Sequence, residues 1–587
     1  MLTRRRVAAA AVLLSTALAG APAIVTSAQA APDQEDRSAV SRAAARYGVG
    51  ASTLQARLQQ DPTLRLAPSG VAYFVEPTAD APAERSVPAQ AFPLEQTFKL
   101  HSKPGSKRTI YLDFDGHNVS GTLWNGEAGN NLPSGVQPAM DLAGNGPTFT
   151  DQEKLQIQDI FQRVAEDYAP FDVDVTTESP AAAKIDRAGA KDQVFGTRVV
   201  ITSNSTAFNV ICGGQCGGVA FIGVFNHFTG KDGFPESHAQ LQPAFVFPAG
   251  LSNDPKNIAE ATSHEVGHTL GLDHDGCTPG GANCPAPGGY YKGHDMWAPI
   301  MGVGYDRPVS QWALSDYPGA DLGGPTDSLQ EDPDDVRTIK AFGAPARADE
   351  AGSSVAGAAA PPSGPAYITT RDDVDVLALG TCSGNVTVTA NNAAVSPNLD
   401  IDLQLLDASG AQVDQDDPPS AFSGRDLASG LDATVTGASL PSGRYYARVD
   451  GAGRGAATTS YTDYGSLGAY TLQVTGCDGA VPTSKPGKPR IGKAKAGKKG
   501  GKLTASVRWQ PPSGTTTPAI DGYQVQAFRL NKRGKYVRVS TSGTLKPSTR
   551  GVTFTSKNKA RLKFAVRAHS SAGWGPLSAK SNAVRPR

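Results

Sequence analysis

Apolar and polar positions repeat with two periods along this chain, and the period changes with position. "RTIYLDFDG" (108–116) alternates with the two-residue period of a strand. The stretch from Asp151 to Phe171 sets Leu155, Ile160, Phe161, Val164 and Tyr168 at helical intervals. Thr150 stands three residues before Glu153, the spacing of a capping box, and Pro170 stops the helix. "FDVDVTT" (171–177), "GTRVVITS" (196–203), "GGVAFIGVF" (217–225) and "PAFVFPAG" (243–250) read as further strands. This order over residues 105–345 predicts an α/β domain with a helix on the face of a sheet.

The flanking regions read differently. Residues 1–30 begin with Arg4, Arg5 and Arg6, continue through an Ala/Leu-rich run and end in Ala28-Gln29-Ala30. That is the layout of a cleaved export signal, and the run is short for a membrane anchor. No later stretch is apolar enough to span a membrane, so a secreted monomer without a membrane span is expected. Residues 31–104 show one helical stretch (38–60), one strand-like run (70–77) and no evident compact core, which reads as a pro-segment. Residues 346–365 are rich in Ala, Gly, Ser and Pro and read as a linker. Residues 366–477 carry short alternating runs with frequent turn signals, the pattern of an all-β sandwich. Residues 478–502 form a basic linker, and 503–587 a second all-β module. The expected protein is multidomain, as its 587 residues require.

Charge sharpens that division. Formal net charge is zero, yet residues 478–587 hold 24 Lys and Arg against two acids, while residues 1–477 hold 31 against 53. The basic end would attract an anionic cell-wall polymer or glycan, or would serve only as a solubilising surface. Six cysteines in an exported chain suggest disulfides, and proximity favours Cys212–Cys216, Cys277–Cys284 and Cys382–Cys477. A zinc site using C-x3-C is the alternative.

"HEVGHTLGLDH" (264–274) holds three of the chain's nine histidines. Residues four apart share a helix face, about 6 Å apart along the axis, so His264 and His268 point the same way. Gly271 suits a left-handed turn that ends the helix and brings His274 back as a third ligand. Three neutral imidazoles around Zn²⁺ leave a fourth position open, the catalytic arrangement. Glu265, beside the first ligand, would take a water's proton and pass it to a leaving amine.

These residues resemble the metzincin metallopeptidases, whose motif is matched at His264, Glu265, His268, Gly271 and His274. The resemblance implies a twisted, mostly parallel sheet, an active-site helix and a methionine beneath the metal. Met301 in "WAPIMGVGY" (297–305) is the candidate, with Met296 the alternative. Branches of the family place a tyrosine two residues after that methionine; here that position is Val303, and Tyr305 follows two later. It also implies that "GGVAFIGVF" pairs with an extended polypeptide substrate by strand addition. His117, His227, His238 and His294 are expected as surface or loop residues. The acids of "VDQDDPP" (413–419) could take Ca²⁺, although a solvated turn is the simpler reading.

Residues 366–477 resemble the prepeptidase C-terminal domain through "DVDVLALG", "NLDIDLQLLDASG" and "LPSGRYYARVDG", which implies a removable or substrate-binding accessory. Residues 486–587 resemble a fibronectin type III domain through "VRWQPP", "IDGYQV" and "FAVRAHSSAGWGPLSAKSNAV", with Trp509 and Tyr523 as core residues. The expected function is a secreted zinc endopeptidase. The alternative is a surface or polymer-binding adhesin with a vestigial zinc site.

Overall fold

Gly48, at φ +69°, turns the chain and splits the helical stretch expected over 38–60 into α1 (Gln34–Tyr47) and α2 (Ala51–Gln60). This computed structural model describes residues 34–82, 90–126, 130–146, 148–203, 205–277, 290–320, 333–478, 486–512, 520, 522–531, 534–570 and 573–587. The export signal expected over 1–30 lies outside the described residues. The two helices are followed by the antiparallel pair β1 (Leu64–Leu66) and β2 (Ala72–Glu76). Contrary to expectation, this segment has a core: Ala43, Leu54, Leu64 and Phe74 pack together with Ile222 of the next domain. The sequence hides it because its last partner is far along the chain.

The next elements are β3 (Arg108–Asp113), the side hairpin β4 (His117–Val119) and β5 (Gly135–Gln137), and α3 (Asp151–Asp167). Then come β6 (Asp174–Thr176), β7 (Phe195–Ile201), α4 (Thr206–Cys212), β8 (Gly218–Phe221), β9 (Ala244–Val246) and α5 (Pro255–Thr269). One sheet runs in the order β1-β2-β8-β9-β7-β3-β6. The strands β9, β7, β3 and β6 are mutually parallel, whereas β8, β2 and β1 join antiparallel. The capping box at Thr150 and Glu153 forms as its spacing predicts. Ile157, Ile160, Phe161 and Val164 of α3 enter the same core as Ile258 and Val266 of α5. The Tyr168 hydroxyl donates to the Ser263 carbonyl at 2.9 Å and ties the two helices together.

After α5 come the parallel pair β10 (Trp297–Pro299) and β11 (Val309–Gln311), then α6 (Asp335–Ala341). The following β module contains β12 (Ala366–Ile368), β13 (Asp375–Asn392), β14 (Ile401–Leu406), β15 (Gln412–Asp416), β16 (Ala421–Gly424), β17 (Leu427–Ser429), β18 (Ala433–Gly451) and β19 (Gly468–Cys477). Hydrogen bonding runs through six of them as one sheet, β12-β19-β13-β18-β14-β15. Register shifts along the pairing of β13 with β18 bend these two long strands. The acids expected in a turn at 413–419 partly occupy β15 instead, where Asp414 and Asp416 accept the Thr436 and Thr434 amides. β16 and β17 form a separate hairpin.

The chain ends in two facing sheets. β20 (Arg490–Ile491), β21 (Lys495–Ala496) and β25 (Gly551–Thr555) pair with β22 (Thr504–Gln510). The other sheet is β24-β23-β26-β27, made of β23 (Gly522–Leu530), β24 (Tyr536–Thr541), β26 (Leu562–Ser570) and β27 (Gly573–Trp574). Trp509 and Tyr523 are buried between them.

Cys212–Cys216 and Cys382–Cys477 are disulfides. Cys277 is also bonded, while its expected partner Cys284 lies outside the described residues. Among the described residues, no helix is long and apolar enough to cross a membrane.

Candidate metal centre

The site is built on α5. Asp254 caps it, its side chain accepting from the Asn257 amide at 3.2 Å, and Pro255 occupies the first turn. At the other end Gly271 has φ +88°, and a Cβ there would lie 2.6 Å from the Phe342 ring. Only glycine suits that turn, which carries the chain from His268 round to His274.

His264, His268 and His274 each offer a ring nitrogen, and the three atoms lie within 4.8 Å of one another. The ring centroids are 4.6, 4.8 and 5.2 Å apart. His264 Nδ1 is 3.0 Å from the Ile300 carbonyl and His268 Nδ1 is 2.8 Å from the Leu272 carbonyl. A carbonyl only accepts, so both Nδ1 atoms carry hydrogen and the neutral rings keep their lone pairs on Nε2. The Nε2 atoms of His268 and His274 stand 3.1 Å apart, and His264 Nε2 is buried with no hydrogen-bond partner. Two nitrogens held tetrahedrally at zinc distances would sit about 3.3 Å apart. Converging ring nitrogens in a buried pocket, that of His264 without a partner, fit a cation. Burial pushes all three imidazoles toward the neutral, ligating form, His264 down to about 4 and the other two well below their ordinary value.

Glu265 is fully buried, and neither carboxylate oxygen has a hydrogen-bond partner. A Cβ on Gly218 would fall 2.3 Å from its Oε1, so β8 passes directly beside this carboxylate. Burial, and then the charge of Glu76, raise its pKa well above the ordinary value. A Cβ on Gly267 would lie 2.5 Å from Met301 Sδ, which places Met301 against the histidine helix. Met296 belongs to a different apolar cluster, and its sulfur lies 2.9 Å from Arg454.

The centre is covered. The edge of β8, expected to receive an extended peptide, is already paired antiparallel with β2, Glu76 opposite Gly218 and Phe74 opposite Ala220. The Phe74 ring lies 4.7 Å from that of His268 and 3.9 Å from that of His274. Thr63 Oγ1 is 3.5 Å from His274 Nδ1, and Asp61 lies 3.9 Å from the same nitrogen. Tyr305 donates its hydroxyl to Glu76, and Tyr290 donates to the Val75 carbonyl at 3.3 Å. Tyr290 also sets its ring 4.0 Å from that of His274. Phe74, Glu76 and Tyr290 carry no local motif, and only their meeting at the site marks them.

Arg425, at the tip of the β16–β17 hairpin, reaches the same region from the β module. It donates to the Tyr305 carbonyl at 2.8 Å and to the Asp254 carboxylate at 2.7 Å, and also bonds Asn257. The remaining histidines stay apart from the centre. His227 lies in a loop as expected and His238 in a short 3-10 turn, but both are buried rather than on the surface, their Nε2 atoms 2.9 and 3.2 Å from the Glu236 and Phe225 carbonyls. Both fill polar gaps that a pattern reading cannot foresee. His117 and His294 are half-buried.

No protein-family model and no curated protein matches the chain. Solved structures do. The FN5 domain of Drosophila Lar matches with 24% identity over 17% of this chain and 96% of that chain, at a TM-score of 0.14. A fourth FNIII domain of human origin matches with 20% identity over 18% of this chain and 80% of that one, also at 0.14. The Twitchin kinase region from C. elegans matches with 15% identity over 18% of this chain and 17% of that chain, again at 0.14.

Proposed function

We propose that the chain is a secreted zinc-dependent endopeptidase of metzincin type, held covered by its own N-terminal segment. The observation that carries this reading is the convergence of three imidazole nitrogens within 4.8 Å beside a buried carboxylate that has no other partner. Zinc in that pocket would supply a Lewis acid that polarises a peptide carbonyl and acidifies water. His264, His268 and His274 would hold it, the first two oriented by the carbonyls of Ile300 and Leu272. Glu265 takes one proton from the attacking water and returns it to the leaving nitrogen, so that one water is consumed for each peptide bond broken. The Tyr290 and Tyr305 hydroxyls stand ready to donate to oxygens of a bound chain, as they now do to Val75 and Glu76. β8 binds the substrate backbone once β2 has left it.

The C-terminal module is read as a fibronectin type III domain that positions the enzyme, and its positive charge favours an anionic cell-wall polymer or glycan.

The test is casein hydrolysis by the zinc-loaded protein before and after limited proteolysis releases the N-terminal segment. Activity is expected to rise on release and to fall by at least about two orders of magnitude in Glu265→Gln, with zinc content unchanged. A released protein that holds zinc and cleaves nothing would leave the polymer-binding adhesin as the better reading.

A further inference from the structure

Three carboxylates meet where the segment leaving the first sheet domain runs onto the second module. Asp349 lies in that segment, Asp375 opens β13, and Asp373 lies two residues earlier. One oxygen from each falls within 4.8 Å of those of the other two. Asp349 is exposed, whereas Asp373 and Asp375 keep only 8% and 0% of their surface.

Most of their hydrogen bonds are accounted for. Asp349 accepts from the Ala351 amide at 2.8 Å. Asp373 Oδ2 accepts from the amide and hydroxyl of Thr369 at 2.8 and 2.7 Å. Asp375 Oδ2 accepts from the Tyr470 hydroxyl at 2.6 Å. Asp375 Oδ1 is buried with no partner at all. The charged groups that act on Asp375 are Glu350, Asp373 and Asp349, all acidic. A buried carboxylate oxygen without a partner, on a residue clustered with two further carboxylates, is unfavourable unless a proton or a cation neutralises it.

We propose that Asp349, Asp373 and Asp375 form a calcium site that pins the connecting segment to the β module. The donors are all oxygen, which suits a hard cation rather than zinc. They come from two separate segments, and the exposed side at Asp349 leaves room for water. Calcium accepts such irregular, partly hydrated shells, whereas magnesium demands a near-octahedral one. The backbone already brings the two segments together: the Val376 amide donates to the Gly352 carbonyl at 3.1 Å, and the Ala378 amide to the Ala359 carbonyl at 2.7 Å. The ion adds the charge neutralisation that these bonds cannot provide. This site is remote in chemistry from the three histidines and does not rest on the peptidase reading.

The experiment titrates Ca²⁺ calorimetrically into the full-length protein, stripped of calcium with EGTA and kept at constant zinc. One site is expected, with a Kd of about 10⁻⁴–10⁻³ M, the range of extracellular modules. Tb³⁺ at the same site should show luminescence excited through the adjacent Tyr470. Asp375→Asn and Asp349→Asn should each raise the Kd by about tenfold or more. Asp349 is exposed, so its variant decides the matter even if Asp375→Asn fails to fold. No saturable binding of either ion up to about 10 mM, well above that range, or wild-type binding in Asp349→Asn, would overturn the proposal.

Discussion

Residues 366–477 and 490–587 are both β modules, yet among the described residues only the first shares a core with the domain that carries the histidines. Leu377, Leu399, Ile401 and Tyr464 belong to one continuous apolar cluster with Trp312, Met301 and Leu270. A second shared cluster joins Leu431 and Tyr461 to Met296 and Trp297. The last module instead closes on itself, with Trp509, Tyr523, Val525, Phe564 and Val566 at its centre. The difference teaches that resemblance to an appended domain does not establish separability. A module whose apolar face is completed by its neighbour is part of that neighbour's fold.

Deleting residues breaks the comparison most forcefully. Removing 366–587 should leave a product that is insoluble or lacks cooperative unfolding, because the face around Trp312 is stripped. Removing 486–587 should leave the thermal transition of the remainder within a degree or so, as expected for modules with separate cores. Equal damage from both deletions would abolish the distinction. Trp509→Ala should cost about 3–5 kcal/mol. In calorimetry that loss should lower only the transition of the last module.

Arg425→Ala tests the contact between the second module and the histidine helix. It leaves Asp254, only 1% exposed, without its ion pair. A loss of about 3 kcal/mol is expected, confined to the larger unit. A change felt only in the hairpin would mean that Arg425 does not support α5. The smallest effect concerns pH. His101 pairs with Asp174 at 2.7 Å and with Glu178 at 2.9 Å, and these contacts raise its pKa to about 9. A raised histidine stabilises the fold fully below about pH 6.5, and that contribution fades as pH rises through about 9. His101 is partly exposed, so the effect is modest. His101→Gln should flatten the slope of melting temperature against pH for the larger unit and leave the last module unchanged.

Local rules made much of the molecule legible. Thr150 and Glu153 announced the start of α3 because a capping box needs only four adjacent residues. The spacing of His264, His268, Gly271 and His274 announced the centre because one helix and one turn bring these groups together. Chain order leaves both Met301 and Met296 as candidates, and the packing of the Met301 sulfur against Gly267 is what separates them. The break at Gly48 does not show in the pattern, because helical periodicity continues across it. The cover on the site was not readable at all. Phe74 reaches His268 from 194 positions away, and Tyr305 meets Glu76 across 229.

The amino-acid order by itself determined the trio of histidines, the helix that presents two of them, the strands with their alternating faces and the concentration of positive charge at one end. Each depends on periodicity, capping or composition within a few tens of residues. Tertiary structure alone decided that β2 lies on the edge of β8, that Arg425 braces the histidine helix and that one β module merges its core while the other keeps its own. Those outcomes depend on which distant apolar faces and hydrogen-bonding edges complete one another, and no short window of sequence contains both halves of such a match.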